Sequence, residues 1–164
     1  MEKTTGFSLI ELMITIAVLA IVLAIAVPSY QALTQNNQLT AATNGLVTSL
    51  NQARSEATKT GMLTIVCPRN EDGTDCGDGD WTDGWLVRVD ESECDPDETE
   101  CVIQTWPALA GAITFNEFPD EVGYQARGSV VNATRFELAV ESRTRCIEIN
   151  AIGRVQIARQ ACGN

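Results

Sequence analysis

One carboxylate stands where a carboxylate is expensive. Glu11 borders a run, Leu12 to Val27, that is apolar except for Thr15, and the next charged residue is Arg54. An ionised carboxylate at the edge of hydrocarbon costs several kcal/mol unless a cation meets it. Glu11 therefore needs either a partner or a place in a membrane headgroup zone. Six cysteines, at 67, 76, 94, 101, 146 and 162, are the other reactive groups. All follow the apolar run, none forms a C-x-x-C pair, and the chain has no histidine. This pattern points to disulfides in an oxidising compartment rather than to a metal site.

Two further clusters carry charge chemistry. Asp72, Asp75, Asp78, Asp80 and Asp83 lie in a glycine-rich stretch. Clustered oxygens on a loop suit calcium, but the spacing is not that of an EF-hand, and the plainer reading is a solvated acidic loop. Arg143, Arg145, Arg154 and Arg159 are the basic counterpart near the C-terminus. No metal or other cofactor is expected. Without histidine the commonest general base is missing. No nucleophile elbow or phosphate loop occurs, and paired cysteines leave no thiol nucleophile. The chain does not read as an enzyme.

The formal charge of −11 is unevenly placed. Residues 71–100 hold thirteen acids and one base, Arg88, whereas residues 122–164 hold six arginines and three glutamates. The chain as a whole is thus a poor match for nucleic acid, while its segments differ in role.

These groups must be positioned by two kinds of element. Leu12 to Val27 with its uncharged C-terminal flank approaches the roughly 20 residues that span a bilayer. It is not an ordinary secretory signal: the small residue, Gly6, precedes the apolar core instead of following it, and only Lys3 is cationic before it. Beyond Pro28, residues Leu39, Ala42, Leu46, Leu50, Ala53 and Ala57 repeat at helical spacing. Gly61 is a suitable stop, with Lys59 in the last turn. The expectation is one helix from Phe7 to Thr60, kinked near Pro28. After it come strand patterns at Met62–Cys67, Gly84–Val89, Cys101–Trp106, Ala112–Asn116, Ser129–Val140 and Arg145–Ala158, the last a hairpin turning at Gly153. Trp81 and Trp85 flank Gly84, and we expect one in the core and one capping the sheet. Arg54 and Glu56, at the end of the helix, contact either the head or a neighbouring subunit, or are solvated.

Six cysteines admit fifteen pairings. The hairpin brings Cys146 near Cys162, Cys94 and Cys101 flank an acidic loop, and Cys67 and Cys76 remain. This set minimises loop length.

The string Gly6-Phe7-Ser8-Leu9-Ile10-Glu11 resembles the class III signal of type IV pilins and type II secretion pseudopilins. The resemblance implies cleavage between Gly6 and Phe7 by a membrane prepilin peptidase, N-methylation of Phe7, and an assembly role for Glu11. There the carboxylate meets the freed amine of a neighbouring subunit. Asn51-Gln-Ala-Arg54-Ser-Glu56-Ala, Trp81-x-x-Gly84-Trp85-x-Val87 and Cys146-x-x-x-x-Ala-x-Gly153-Arg154 narrow the likeness to GspH/FimT-type minor pilins and pseudopilins.

That resemblance implies an α+β fold. A long N-terminal transmembrane helix packs against a C-terminal antiparallel β-sheet head stapled by disulfides. The divisions are a leader at 1–6, a transmembrane and filament-core helix at 7–29, an amphipathic continuation at 30–60 and a β-rich periplasmic head at 61–164. It implies a structural subunit that helps initiate and cap a type IV pilus or a type II secretion pseudopilus. Its partners would be the prepilin peptidase/methyltransferase, other minor and major pilins or pseudopilins, and the inner-membrane assembly platform. The subunit would reside in the inner membrane with its head in the periplasm before entering the filament. An alternative is DNA uptake through Arg154 and Arg159. FimT-type pilins of that kind carry Gly-Arg-x-Arg, but here the second arginine is replaced by Gln156.

Overall fold

The computed structural model describes residues 8–90, 92, 94 and 101–163. The chain forms two compact units, residues 1–35 and 36–164. One helix, α1, runs Leu9–Thr60. Pro28 lies inside it without ending it. In the first unit every described residue from Ser8 to Gln31 is exposed.

In the second unit the expected stripe is the buried face of α1. Leu39, Leu46, Leu50, Ala53 and Ala57 are fully buried and Ala42 nearly so. The buried hydroxyls Thr43 and Ser49 are satisfied locally, Thr43 Oγ1 donating to the Leu39 carbonyl and Ser49 Oγ to that of Leu46. At the C-terminal end the Gly61 N–H donates to Ala57 O at 3.0 Å. Gly61 has φ +78°, a left-handed position that glycine takes without penalty and that stops the helix.

Among the described residues the head contains eight strands: β1 Thr64–Pro68, β2 Trp85–Val89, β3 Val102–Thr105, β4 Thr114–Glu117, β5 Val122–Tyr124, β6 Thr134–Val140, β7 Arg143–Ile149 and β8 Val155–Ala158. They form two four-stranded sheets, ordered β3-β2-β1-β5 and β4-β6-β7-β8. All pairings are antiparallel. A shared core joins the α1 stripe to the inner faces of both sheets, including Val66, Val87, Phe136, Leu138, Ile147 and Ile149.

Both tryptophans belong to this core, which corrects the expectation that one caps the sheet. Trp81 is fully buried and Trp85 is 1 % exposed. Trp81 meets Phe136 edge-on at 4.8 Å between ring centroids, and its Nε1–H donates to the Pro119 carbonyl at 2.9 Å. A short 3-10 turn, Trp81–Asp83, points the first ring inward. Alternation along β2 does the same for the second. The second ring faces Gly45 of α1, where an added Cβ would make an ordinary van der Waals contact, 3.5 Å from Trp85 Cζ2.

Two strand expectations change. β5 was not foreseen, because Val-Gly-Tyr is too short and has glycine at its centre; pairing with β1 makes it a strand. The expected strand Ser129–Val140 is divided. Val130 folds back to bridge Tyr124, and only Thr134–Val140 forms β6.

Three disulfides join Cys67–Cys76, Cys94–Cys101 and Cys146–Cys162, with Cα separations of 5.6, 5.9 and 5.0 Å. The first closes a loop over the outer face of β1 and β2. Ile65, Cys67 and Leu86 form a second, smaller apolar cluster there with Leu63, Cys76 and Val102. The third returns the C-terminal tail to the second sheet.

Candidate functional site

The first candidate site is the start of α1. Ser8-x-x-Glu11 has the spacing of a capping box, and Glu11 Oε2 accepts the Ser8 backbone N–H at 3.0 Å. One carboxylate oxygen is thus held at the positive end of the helix, where an anion is favoured. Polar side chains along the apolar run turn back on the backbone. Thr15 Oγ1 donates to Leu12 O and Ser29 Oγ to Ile25 O. The segment therefore presents a nearly continuous apolar surface with an anchored carboxylate at its end. Leu9, Ile21 and Ile25 are 65–76 % exposed. Soluble monomers do not carry apolar patches of such extent without a partner or a membrane. The expected cleavage and methylation residues, Gly6 and Phe7, lie outside the described residues. Sequence reasoning overlooked Ser8 as Glu11's partner, although the S-x-x-E spacing was visible.

The second candidate is where the end of α1 meets the β7–β8 turn. Arg54 Nη2 donates to Ile152 O at 2.9 Å, so Arg54 contacts the head. The turn is closed by Gly153 N–H to Asn150 O, Asn150 N–H to Arg154 O and Arg154 N–H to Asn150 Oδ1. Gly153 sits at φ +77°, and a Cβ there would lie 2.1 Å from Gly128 O. Only glycine permits this approach. Gly128 in turn lies against Arg54 Nε and Thr58. Tyr124 is fully buried beside the turn, and its hydroxyl has no hydrogen-bond partner among the described residues. Burial pushes its phenol up to about 12, with the nearby Arg54 charge opposing. Glu56 is committed to a surface pair with Lys59.

The C-terminal arginines are not one patch. Arg135 pairs with Glu117 and donates to Gly163 O at 2.8 Å, and Arg145 donates to Asn36 Oδ1 at 3.3 Å. Arg154 and Arg159 are exposed. Arg154 borders an open cleft on the second sheet with Thr134, Arg135, Glu148, Asn150 and Gln156. The tail crosses the same face. Glu137 Oε2 accepts the Cys162 N–H at 2.7 Å. The Asn116 side chain first, then that N–H, hold the Glu137 carboxyl below its usual range.

The acidic run is partly structural. Asp75 pairs with the buried Arg88, Asp80 caps the 3-10 turn by accepting from Thr82 N–H at 2.9 Å, and the Asp83 carbonyl accepts from Arg69 Nε at 2.8 Å. Among the described residues no three His, Cys, Asp or Glu side chains are grouped to hold a metal.

Comparison with known proteins agrees with this geometry. Residues 42–153 match the model of the type II transport protein GspH family, and residues 1–27 match the prokaryotic N-terminal methylation motif. No curated protein sequence gives a significant match. Among solved structures the chain is similar to the type IV minor pilin FimU of Pseudomonas aeruginosa in two crystal forms. The TM-scores are 0.59 and 0.56 at 20 % and 19 % identity, covering 77 % and 73 % of this chain and 92 % of each FimU chain. At that identity the likeness establishes a shared fold.

Proposed function

The chain belongs to the GspH family of type II transport proteins, with the N-terminal methylation motif of pilins, and on that premise we propose that it is a minor pilin or pseudopilin that helps initiate and cap a filament. One observation carries this reading: the exposed apolar stretch of α1 up to Gln31, with a single carboxylate, Glu11, anchored at its first turn.

The apolar run holds the subunit in the inner membrane, with the disulfide-bonded head in the periplasm. A prepilin peptidase cuts between Gly6 and Phe7 and the new amine is methylated. Glu11 keeps one oxygen on Ser8 and offers the other to the ammonium of an adjacent subunit. The pair neutralises two charges that would each be costly alone in hydrocarbon. The uncharged surface up to Ala53 suits packing among other helices. Partners on this reading are other minor and major pilins or pseudopilins and the inner-membrane assembly platform. DNA uptake is less well supported, because Arg135 and Arg145 are committed within the head and the exposed Arg154 lacks the second arginine of the Gly-Arg-x-Arg string.

The test is expression with the native assembly genes. Mass spectrometry of the sheared filament fraction should find N-methylphenylalanine at position 7. Glu11→Leu should still be cleaved but fail to enter the filament. An intact Met1, or wild-type incorporation of Glu11→Leu, overturns the reading.

A further inference from the structure

A sheet edge with free backbone groups invites another strand, and among the described residues three of the four edges carry a guard. β3 is irregular against β2 between Val87 and Arg88 and soon reaches Pro107. β4 is irregular against β6 between Phe115 and Glu117, and Glu117 pairs with Arg135. β5 is covered by its own chain: Val130 bridges Tyr124, and the Val131 N–H donates to Gly123 O at 2.9 Å.

β8 has none of these guards. It reads Val-Gln-Ile-Ala, without proline, glycine or charge, and its register with β7 is unbroken from Ile149↔Val155 to Cys146↔Ala158. The bond from Asn150 N–H to Arg154 O sets the alternation. Gln156 and Ala158 turn their backbone groups toward β7, and Val155 and Ile157 turn theirs outward. Among the described residues nothing pairs with that outer side. Ile157 lies opposite the fully buried Ile147, yet is itself 49 % exposed, so the core face continues to the open edge.

The flanking charges select the occupant. Arg154 and Arg159 bracket β8, both exposed and neither in an ion pair among the described residues. A second copy of β8 would bring four guanidiniums to one short ladder with no carboxylate on either strand. A strand flanked by Asp or Glu meets a cation at each end.

We propose that β8 is an acceptor edge for β-strand addition, and that its partner is a short extended segment of another protein, apolar on the face continuing Ile157 and flanked by carboxylates. In a filament that segment belongs to a neighbouring head, and this assignment of source rests on the proposed function. The edge itself is a property of the single chain.

The experiment uses the full chain in detergent micelles with a designed peptide, Asp-Val-Thr-Val-Thr-Asp, at millimolar concentration and low salt. Amide hydrogen exchange at Val155 and Ile157 should slow at least tenfold. Lys-Val-Thr-Val-Thr-Lys should have little effect. The Arg154→Glu/Arg159→Glu double variant, altered only at exposed side chains, should reverse this preference. Ile157→Pro deletes an outward N–H that the β7 ladder does not use, and should abolish the protection while the melting temperature stays near wild type. Unchanged exchange at both amides, equal protection by the two peptides, or protection by single-stranded DNA but not by peptide overturns the proposal. Because the measurement is made on the lone chain, its failure leaves the filament reading intact, and an uncleaved N-terminus would leave the β8 assignment intact.

Discussion

The guanidinium of Arg54 donates from Nη2 to the carbonyl of Ile152 at 2.9 Å, tying the last turns of α1 to the β7–β8 turn across 98 positions of sequence. The same side chain lies against Gly128, so one arginine holds the helix, the loop after β5 and the C-terminal hairpin together.

Arg54→Ala should therefore destabilise the head by about 1–2 kcal/mol, the range for a partly solvated charged hydrogen bond. That corresponds to a drop of about 3–8 °C in melting temperature. Near-ultraviolet circular dichroism of the buried Trp81 and Trp85 reads the transition. Arg54→Lys should recover little of the loss, because an ammonium does not reproduce the guanidinium fork.

Two glycines at the same backbone conformation should respond very differently to alanine. At Gly61, φ +78° with nothing within 4 Å of an added Cβ, the cost is the left-handed penalty alone, about 1–2 kcal/mol. At Gly153 the added carbon would meet Gly128 O at 2.1 Å, a backbone carbonyl that cannot swing away as a flexible side chain could. Gly153→Ala should prevent the hairpin from docking, seen as loss of soluble, protease-resistant head, while Gly61→Ala folds.

Alkaline pH should weaken the head through Tyr124. Its phenol is raised from 10.0 to about 12 by burial. Because the folded value exceeds the unfolded one, the full contribution is present below pH 10 and is lost as pH rises towards 12. At about 1.36 kcal/mol per unit, roughly 1.4 kcal/mol should be gone by about pH 11. Tyr124→Phe should flatten this dependence. At neutral pH it should be neutral or stabilising, since it removes a buried hydroxyl without a partner. Urea titrations of both proteins at pH 8 and 11 provide the comparison.

Cys67→Ser/Cys76→Ser should cost about 2–3 kcal/mol by the loop-entropy relation for a separation of 9 residues. The loop should also lift from the cluster of Ile65 and Leu86. The expected signature is a lower urea midpoint with increased binding of an apolar dye. An unchanged midpoint would mean that the non-covalent contacts, the Asp75–Arg88 pair and the loop's backbone bonds to Pro68 and Asn70, hold the loop without the disulfide.

Much was legible from local chemistry. Glu11 beside an uncharged run, the stripe from Leu39 to Ala57 and the stop at Gly61 depend on transfer energies and helical period, which neighbouring residues set. Most strands followed from alternation, although their ends moved by a few residues. What the linear pattern could not reach was decided by packing. β5 exists because β1 offers it a ladder, Trp85 joins Trp81 in the core because its ring packs between Trp81 and the stacked Trp106, and Gly153 is required because Gly128 O approaches it. The partner of Arg54 and the open edge at β8 are likewise set by which strands end beside one another. Periodicity records which face of an element is apolar; only the assembled layers determine what that face, or that edge, meets.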